Sequence, residues 1–229
     1  YLHTVSIERL EAVVNAQGRP TTWLHRTAAP SILSLFVEGG KGQMDLEAGM
    51  TAINVPYDIP NLRLEGAEVE AHARIGWFRS VSNIPHAFAV QCFVAELAHK
   101  AGRDHKQYLL DLIGPPRKLD PRKLSDNWNY SESPERYPID TGRMRDVIEA
   151  AAKGARWGRK LPKGHGLGLA VAYSFMSYTA TVIEVAVDAK GELKVVAVDM
   201  AIDCGPQINP ERIRAQMEGG IGYGLSAIL

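Results

Sequence analysis

The sequence predicts an α+β fold, mixed sheets with packed helices, on three observations. Runs of β-branched and aromatic residues flank Gly-containing turns near both ends of the chain. Other stretches carry apolar residues at helical spacing. Gly or Pro punctuates most changes from one pattern to the other.

Taken in order, Val5, Ile7 and Leu10, then Ala12-Val-Val14, the turn Asn15-Ala-Gln-Gly18 and Thr21-Thr-Trp-Leu-His-Arg26 read as a hairpin over residues 2–28. Scattered Gly and Pro over 30–75, with Val55-Pro-Tyr-Asp-Ile-Pro60 among them, predict loops and short strands. Asn83 as N-cap and Pro85 in the first turn open a helix to Gly102, with Phe88, Cys92, Ala95 and Leu97 expected on its buried stripe. Asp104 caps a second helix through Tyr108, Leu109 and Leu112, stopped at Gly114 by Pro115-Pro116, and the two are expected to form a helical hairpin. Repeated prolines among polar residues from Gly114 to Ile139 predict a long surface connection, functional or interfacial.

Met144, Val147, Ile148 and Ala151 at i, i+3, i+4 and i+7 predict a helix over 140–157, with Gly158 past its end. Gly164-His-Gly-Leu-Gly168 leads into the strand Leu169–Tyr173. Thr181–Asp188 then turns through Ala189-Lys-Gly191 into Leu193–Val198. Asn209-Pro210 starts a last helix, Asn as N-cap and Pro at N1, with Ile213, Met217, Gly220, Ile221, Gly224 and Ile228 on one face. The expected organisation is a strand-hairpin and helical-hairpin subdomain over 1–113, a Pro-rich connection over 114–139 and a β-rich subdomain over 140–229.

Twenty-six basic and 26 acidic side chains cancel to zero net charge, and no basic stripe appears, which argues against nucleic acid as a partner. No apolar run reaches about 18 residues, so nothing reads as a membrane span. Cys92 and Cys204 form no Cys-x-x-Cys motif and cannot hold an iron–sulfur cluster by themselves; both are expected as buried thiols. The chain opens on Tyr1 and its last helix runs uncapped to the final residues, which reads as a piece of something longer.

Gly219, Gly220, Gly222 and Gly224 inside a helix pattern each cost about 1 kcal/mol relative to Ala, so they need a reason. A backbone lying against a bulky ligand is one; close helix–helix packing is the other, and residues alone favour packing. The dinucleotide fingerprint fails after Gly164-x-Gly166, where the third glycine position is Leu169, and after Gly220-x-Gly222, where it is Leu225. His165 reads as a turn residue, and His86, His99 and His105 lack zinc spacing. Arg79, ahead of a helix N-terminus, could hold an anionic or polar group, or simply stack on Trp77 or Phe78 or pair with a carboxylate. Gln216 could read a heterocycle edge with its amide, though a solvated helix position is the plainer account.

Together, Gly76-Trp-Phe-Arg-Ser-Val81, Phe93-Val-Ala-Glu-Leu-Ala98, Phe175-Met-Ser-Tyr178, Asp203-Cys-Gly205, Ile208-Asn-Pro210 and Gln216-Met-Glu-Gly-Gly220 resemble the molybdopterin-binding large subunit of the xanthine oxidase and aldehyde oxidase family, in its isoquinoline 1-oxidoreductase β-subunit type. The resemblance runs in order along nearly the whole chain. It implies hydroxylation of an aldehyde or N-heterocycle, with oxygen from water and electrons leaving through iron–sulfur clusters on a small partner subunit. It implies molybdopterin with molybdenum, as the cytosine dinucleotide. Phe78, Arg79, Gln216, Gly219 and Gly220 fall on the family's cofactor-contacting positions, and the ligand account of the glycines then leads.

No Gly-Gly-x-Phe-Gly, Gly-Gln-Gly or Gly-Val-Gly-Glu-Pro segment is present. The resemblance places the general-base glutamate beyond Leu229, so no catalytic residue and no metal ligand is expected here, and the chain alone is expected to be inactive. The expected partners are the remainder of the large subunit, the iron–sulfur subunit, a cytochrome c subunit and a small aromatic or aldehyde substrate. The family implies the periplasm or the periplasmic face of the inner membrane, with the cytoplasm as alternative. A non-catalytic scaffold or binding module and a nucleotide-dependent enzyme built on Gly164–Gly168 stay open as rivals.

Overall fold

A computed structural model describes residues 2–38, 41–70 and 74–228. Strand β1 (Ile7–Val14) pairs antiparallel with β2 (Pro20–Ala28) across a turn that the Asn15 side chain closes by accepting from the Gln17 and Arg19 amides. Along β2 alternate side chains turn inward, so that Trp23, His25 and Thr27 are buried. A short helix α1 (Asp45–Ala48) follows, and β3 (Asn61–Ala67) then pairs parallel to β2, completing a mixed sheet in the order β1-β2-β3.

Helix α2 (Asn83–Lys100) packs on α3 (His105–Ile113), whose N-cap Asp104 accepts from the Gln107 amide at 2.9 Å. The buried face of α2 is Asn83, His86, Val90, Gln91, Val94, Leu97 and Ala98. Phe88 is 63% exposed, Cys92 is exposed and Ala95 half-buried, so of the expected stripe only Leu97 faces the core. Polar groups decide the rotation. His86 Nδ1 donates to the Met50 carbonyl at 2.6 Å, and Gln91 donates to Tyr57 and accepts from Val171 N. Asn83 is the first helical residue rather than the cap; Ser82 precedes it.

The segment 114–139 is not wholly a surface connection. Its ends pair as β4 (Lys118–Leu119) and β5 (Ile139–Asp140), and Pro121, Asp126, Asn129 and Tyr130 are buried between them. Asp126 accepts from the Trp128 and Asn129 amides and from Asn54 Nδ2, which lets irregular backbone go inside with its polar groups paired.

Helix α4 (Thr141–Gly154) starts on Asp140, which accepts from the Gly142 and Arg143 amides. Met144, Val147, Ile148 and Ala151 are buried as expected, each large aliphatic among them worth about 1.5–3 kcal/mol of burial. They pack on the antiparallel sheet β6 (His165–Ser174), β7 (Ser177–Val187) and β8 (Leu193–Asp203). The inward face of β7 is Tyr178, Ala180, Val182 and Glu184; the opposite face stays half-open and forms the floor of a cleft. Helix α5 (Pro210–Ile228) follows, with Asn209 Oδ1 capping the Arg212 amide at 3.1 Å and no residue fully buried. Among the described residues no helix is long and apolar enough to cross a membrane.

Candidate functional site

The open face of the β6–β8 sheet, the first turns of α2, the segment 77–81 and α5 enclose a cleft of about 750 Å³. Its floor is Ala172, Ser174, Thr179, Met200 and Ile202; Ile84 and Ala87 form the α2 wall. Trp77, Phe175 and Met217 stand at its sides, and Arg79 is the one charged residue lining it among the described residues. Apolar walls with few convergent polar groups suit a small organic ligand.

Gly76 lets the segment 77–81 pass against the N-terminal residues, because a Cβ there would lie 2.6 Å from the Leu2 carbonyl oxygen. Beyond Arg79 the backbone is left-handed at Ser80 (φ 68°) and at buried Val81 (φ 46°), a costly conformation for a β-branched residue. The β6–β7 turn is left-handed at Phe175 and Met176, and so are Thr51 and Asn129–Ser131.

These strained segments are tied to one another through Asn83. Its Oδ1 accepts from Thr51 Oγ1 at 2.5 Å and its Nδ2 donates to Ser174 Oγ at 3.1 Å. The Tyr130 hydroxyl lies 3.2 Å from Nδ2 and 3.3 Å from Oδ1, and Ser174 Oγ donates to Ser80 Oγ at 3.0 Å. The ring of Tyr130 in turn meets Phe175 at 4.4 Å between centroids. Burial pushes the Tyr130 hydroxyl up to about 12, against the opposing hydrogen bond from Asn83, so it stays protonated. Such over-determined strain concentrates where a fold fixes a site.

Arg79 Nη1 donates to Gln216 Oε1 across 137 positions of sequence, so two of the sequence-predicted residues meet at the lip of the cleft. Phe78 is half-buried and stacks on Tyr223, with ring centroids 4.2 Å apart and planes 21° apart. The same α5 glycines that suggested packing face open space: a Cβ on Gly219, Gly220, Gly222 or Gly224 would meet nothing within 4 Å among the described residues. The helix–helix packing account therefore has no partner in the described part of the chain.

His165 hydrogen-bonds Glu184 at 2.8 Å, and Arg159 reaches the same carboxylate at 2.6 Å, so this Gly-flanked histidine is tied down in a strand-end hydrogen-bond cluster. These two hydrogen bonds hold the Glu184 carboxyl below its ordinary range. Among the described residues no group of His, Cys, Asp or Glu is arranged to hold a metal. Cys92, expected buried, is exposed, and Cys204 is half-buried. Before α5, Arg143 grips Asp203 through Nε and Nη2, both at 2.7 Å, and Asp203 accepts from Gly205 N at 3.0 Å. The Arg143 hydrogen bonds hold the Asp203 carboxyl down at about 2, fixing the turn that launches α5.

Sequence reasoning missed Asn83 as the centre of this network, because its position reads as a helix cap. It also missed Thr51, Tyr130 and Ser174, which with Asn83 come from four different parts of the chain and carry no local signature. The Phe175-Met176 turn lacks the Gly or Asn that normally marks a two-residue hairpin.

Residues 129–229 match the molybdopterin cofactor-binding domain. Over 99% of its length the chain is 29% identical to a nicotinate dehydrogenase subunit of Pseudomonas putida, covering 19% of that protein. It is 25% identical to a membrane-bound aldehyde dehydrogenase of Gluconacetobacter polyoxogenes, named as a pyrroloquinoline-quinone enzyme, over 98% of the chain and 29% of the relative. It is 26% identical to the β-subunit of isoquinoline 1-oxidoreductase from Brevundimonas diminuta, over 95% of the chain and 26% of the relative. The chain thus spans under a third of the length of these relatives. The residues present fit a molybdopterin group: a guanidinium and an amide meet at the lip of the cleft, and on the same helix an added Cβ at Gly219 or Gly220 would meet nothing within 4 Å among the described residues, which leaves room for a ligand to lie close to the backbone. Residues 129–229 thus match the molybdopterin cofactor-binding domain, and nearly the whole chain is similar to these three dehydrogenase and oxidoreductase proteins.

Proposed function

We propose that the cleft and the adjoining face of α5 hold part of a molybdenum-bearing molybdopterin in its cytosine dinucleotide form. The whole protein would then oxidise an aldehyde or N-heterocycle at carbon and pass electrons to an iron–sulfur partner subunit. The observation that carries this reading is the Arg79–Gln216 pair beside the bare Gly219–Gly220 backbone. When bound, the group supplies two-electron oxidation with oxygen from water; for an aldehyde, RCHO and H2O give RCOOH, two protons and two electrons.

This chain's own residues bind and orient. Arg79 offers donors of fixed fork geometry, and Gln216 offers both a donor and an acceptor. Phe78, held flat by Tyr223, shields one side of the lip. Trp77, Ile84, Phe175 and Met200 give the cleft apolar walls that favour a desolvated planar ligand over bulk water. No proton transfer is assigned to this chain, since no carboxylate stands among the described residues lining the cleft.

The test is oxidation of an aldehyde and of an N-heterocycle by the whole enzyme in 18O-water with an artificial electron acceptor. Label in the product, with acceptor reduced one-for-one by electron pairs, is expected. Label-free product refutes the water-derived oxygen. Activity restored by pyrroloquinoline quinone alone would favour the cofactor named for the Gluconacetobacter relative.

A further inference from the structure

We infer that the recess on the far side of the β6–β7 turn is a binding site for a small carboxylate with an apolar or aromatic body. The two turn residues divide the cavities: Phe175 lines the cleft, and Met176 lines this second recess of about 250 Å³. Three cations line it, Lys118, Arg136 and Arg143. One carboxylate, Asp140, faces them, and it is engaged in capping α4. Asp203 matches Arg143 through Nε and Nη2, which leaves Nη1 without an acceptor among the described residues. Lys118 and Arg136 have no ion-pair partner among the described residues. The unmatched charge at this recess is therefore positive.

The inner surface selects against a bare inorganic anion. Tyr173 and Tyr178 are buried with their rings 5.0 Å apart, and the Arg143 guanidinium lies 4.6 Å from the Tyr178 ring centroid. Tyr178 Oη accepts from Asp140 N at 2.7 Å, which leaves its own proton to donate. An exposed cationic rim over an aromatic, half-apolar floor matches a ligand with a carboxylate at one end and a planar body at the other. Aldehyde oxidation yields products of this class, and that link rests on the function proposed above; the binding itself does not.

The experiment is calorimetric titration of the whole purified protein, both cofactor-loaded and cofactor-free, with benzoate, benzamide and inorganic phosphate as probes. Benzoate is expected to bind in both forms, at least about tenfold more tightly than either other probe. The K118Q/R136Q double variant should weaken benzoate by about tenfold or more, and K118R/R136K should restore it. Neither side chain is part of the core, and unchanged circular dichroism checks that folding survives. Equal binding of phosphate, equal binding of benzamide, or benzoate affinity unmoved by the glutamine pair would overturn the inference. Because the cofactor-free protein is titrated too, loss of the molybdenum reading and loss of this site are separate results.

Discussion

Replacing Gly219 and Gly220 by alanine should move stability and cofactor content in opposite directions. Neither added Cβ meets any atom within 4 Å among the described residues, so no clash opposes the change. Each substitution removes a mid-helix glycine and should add about 0.8–1 kcal/mol of helix stability, roughly 2 kcal/mol for the pair. For a cooperatively unfolding unit of about 150–250 residues that is roughly 4–8 °C in melting temperature. If the bare backbone faces the pterin, the two methyl groups occupy the space the ligand needs, and molybdenum retained per chain should fall several-fold. Thermal unfolding of cofactor-free protein and metal analysis of loaded protein read the two effects separately. A destabilised cofactor-free protein with full molybdenum content would refute the reasoning, since the glycines would then be packing against protein.

Asn83→Ala removes the shared partner of Thr51, Tyr130 and Ser174; all three hydroxyls lose a hydrogen bond, Ser174 keeping the one to Ser80, and urea unfolding should show a loss of about 2–5 kcal/mol. Acid should weaken the N-terminal sheet. Burial holds His86 below its ordinary 6.5, and against desolvation a hydrogen bond from His25 and the nearby charge of His86 hold Glu8 below 4.5. Both are depressed in the fold, so the unfolded chain takes up protons first: stability is full above about pH 6.5, falls as His86 titrates, and falls again below 4.5. Unfolding midpoints measured from about pH 7.5 down to about pH 4 should show this, with a shallower upper step in His86→Gln. Asp203→Asn should cost about 1 kcal/mol once solvent screening of this partly exposed pair is allowed for, and high salt should shrink the difference between variant and parent.

The elements with a strong period were legible in the sequence. The Met144–Ala151 stripe, the Asp104 and Asp140 starts and the Asn209-Pro210 start all stand where local chemistry puts them, because each depends on residues within one helical turn. The face of α2 was not legible. His86 and Gln91 turn inward to satisfy Met50, Tyr57 and Val171, groups 34 to 80 positions away, and Phe88 and Cys92 are turned out as a result. The same holds for the site. Arg79 and Gln216 could be named from the motifs around them, but their meeting depends on the β8 to α5 turn fixed by Arg143 and Asp203. The Asn83 network joins residues from four segments, so no window of sequence contains it.

The most direct test is molybdenum and pterin content per chain in the purified enzyme, by metal analysis and by fluorescence of the oxidised pterin, for the parent and for Arg79→Ala/Gln216→Ala. The structure predicts near-stoichiometric molybdenum and pterin in the parent and a several-fold loss of both in the double variant with its fold intact. A parent without pterin, or a double variant that keeps its full complement, would contradict the assignment of this cleft.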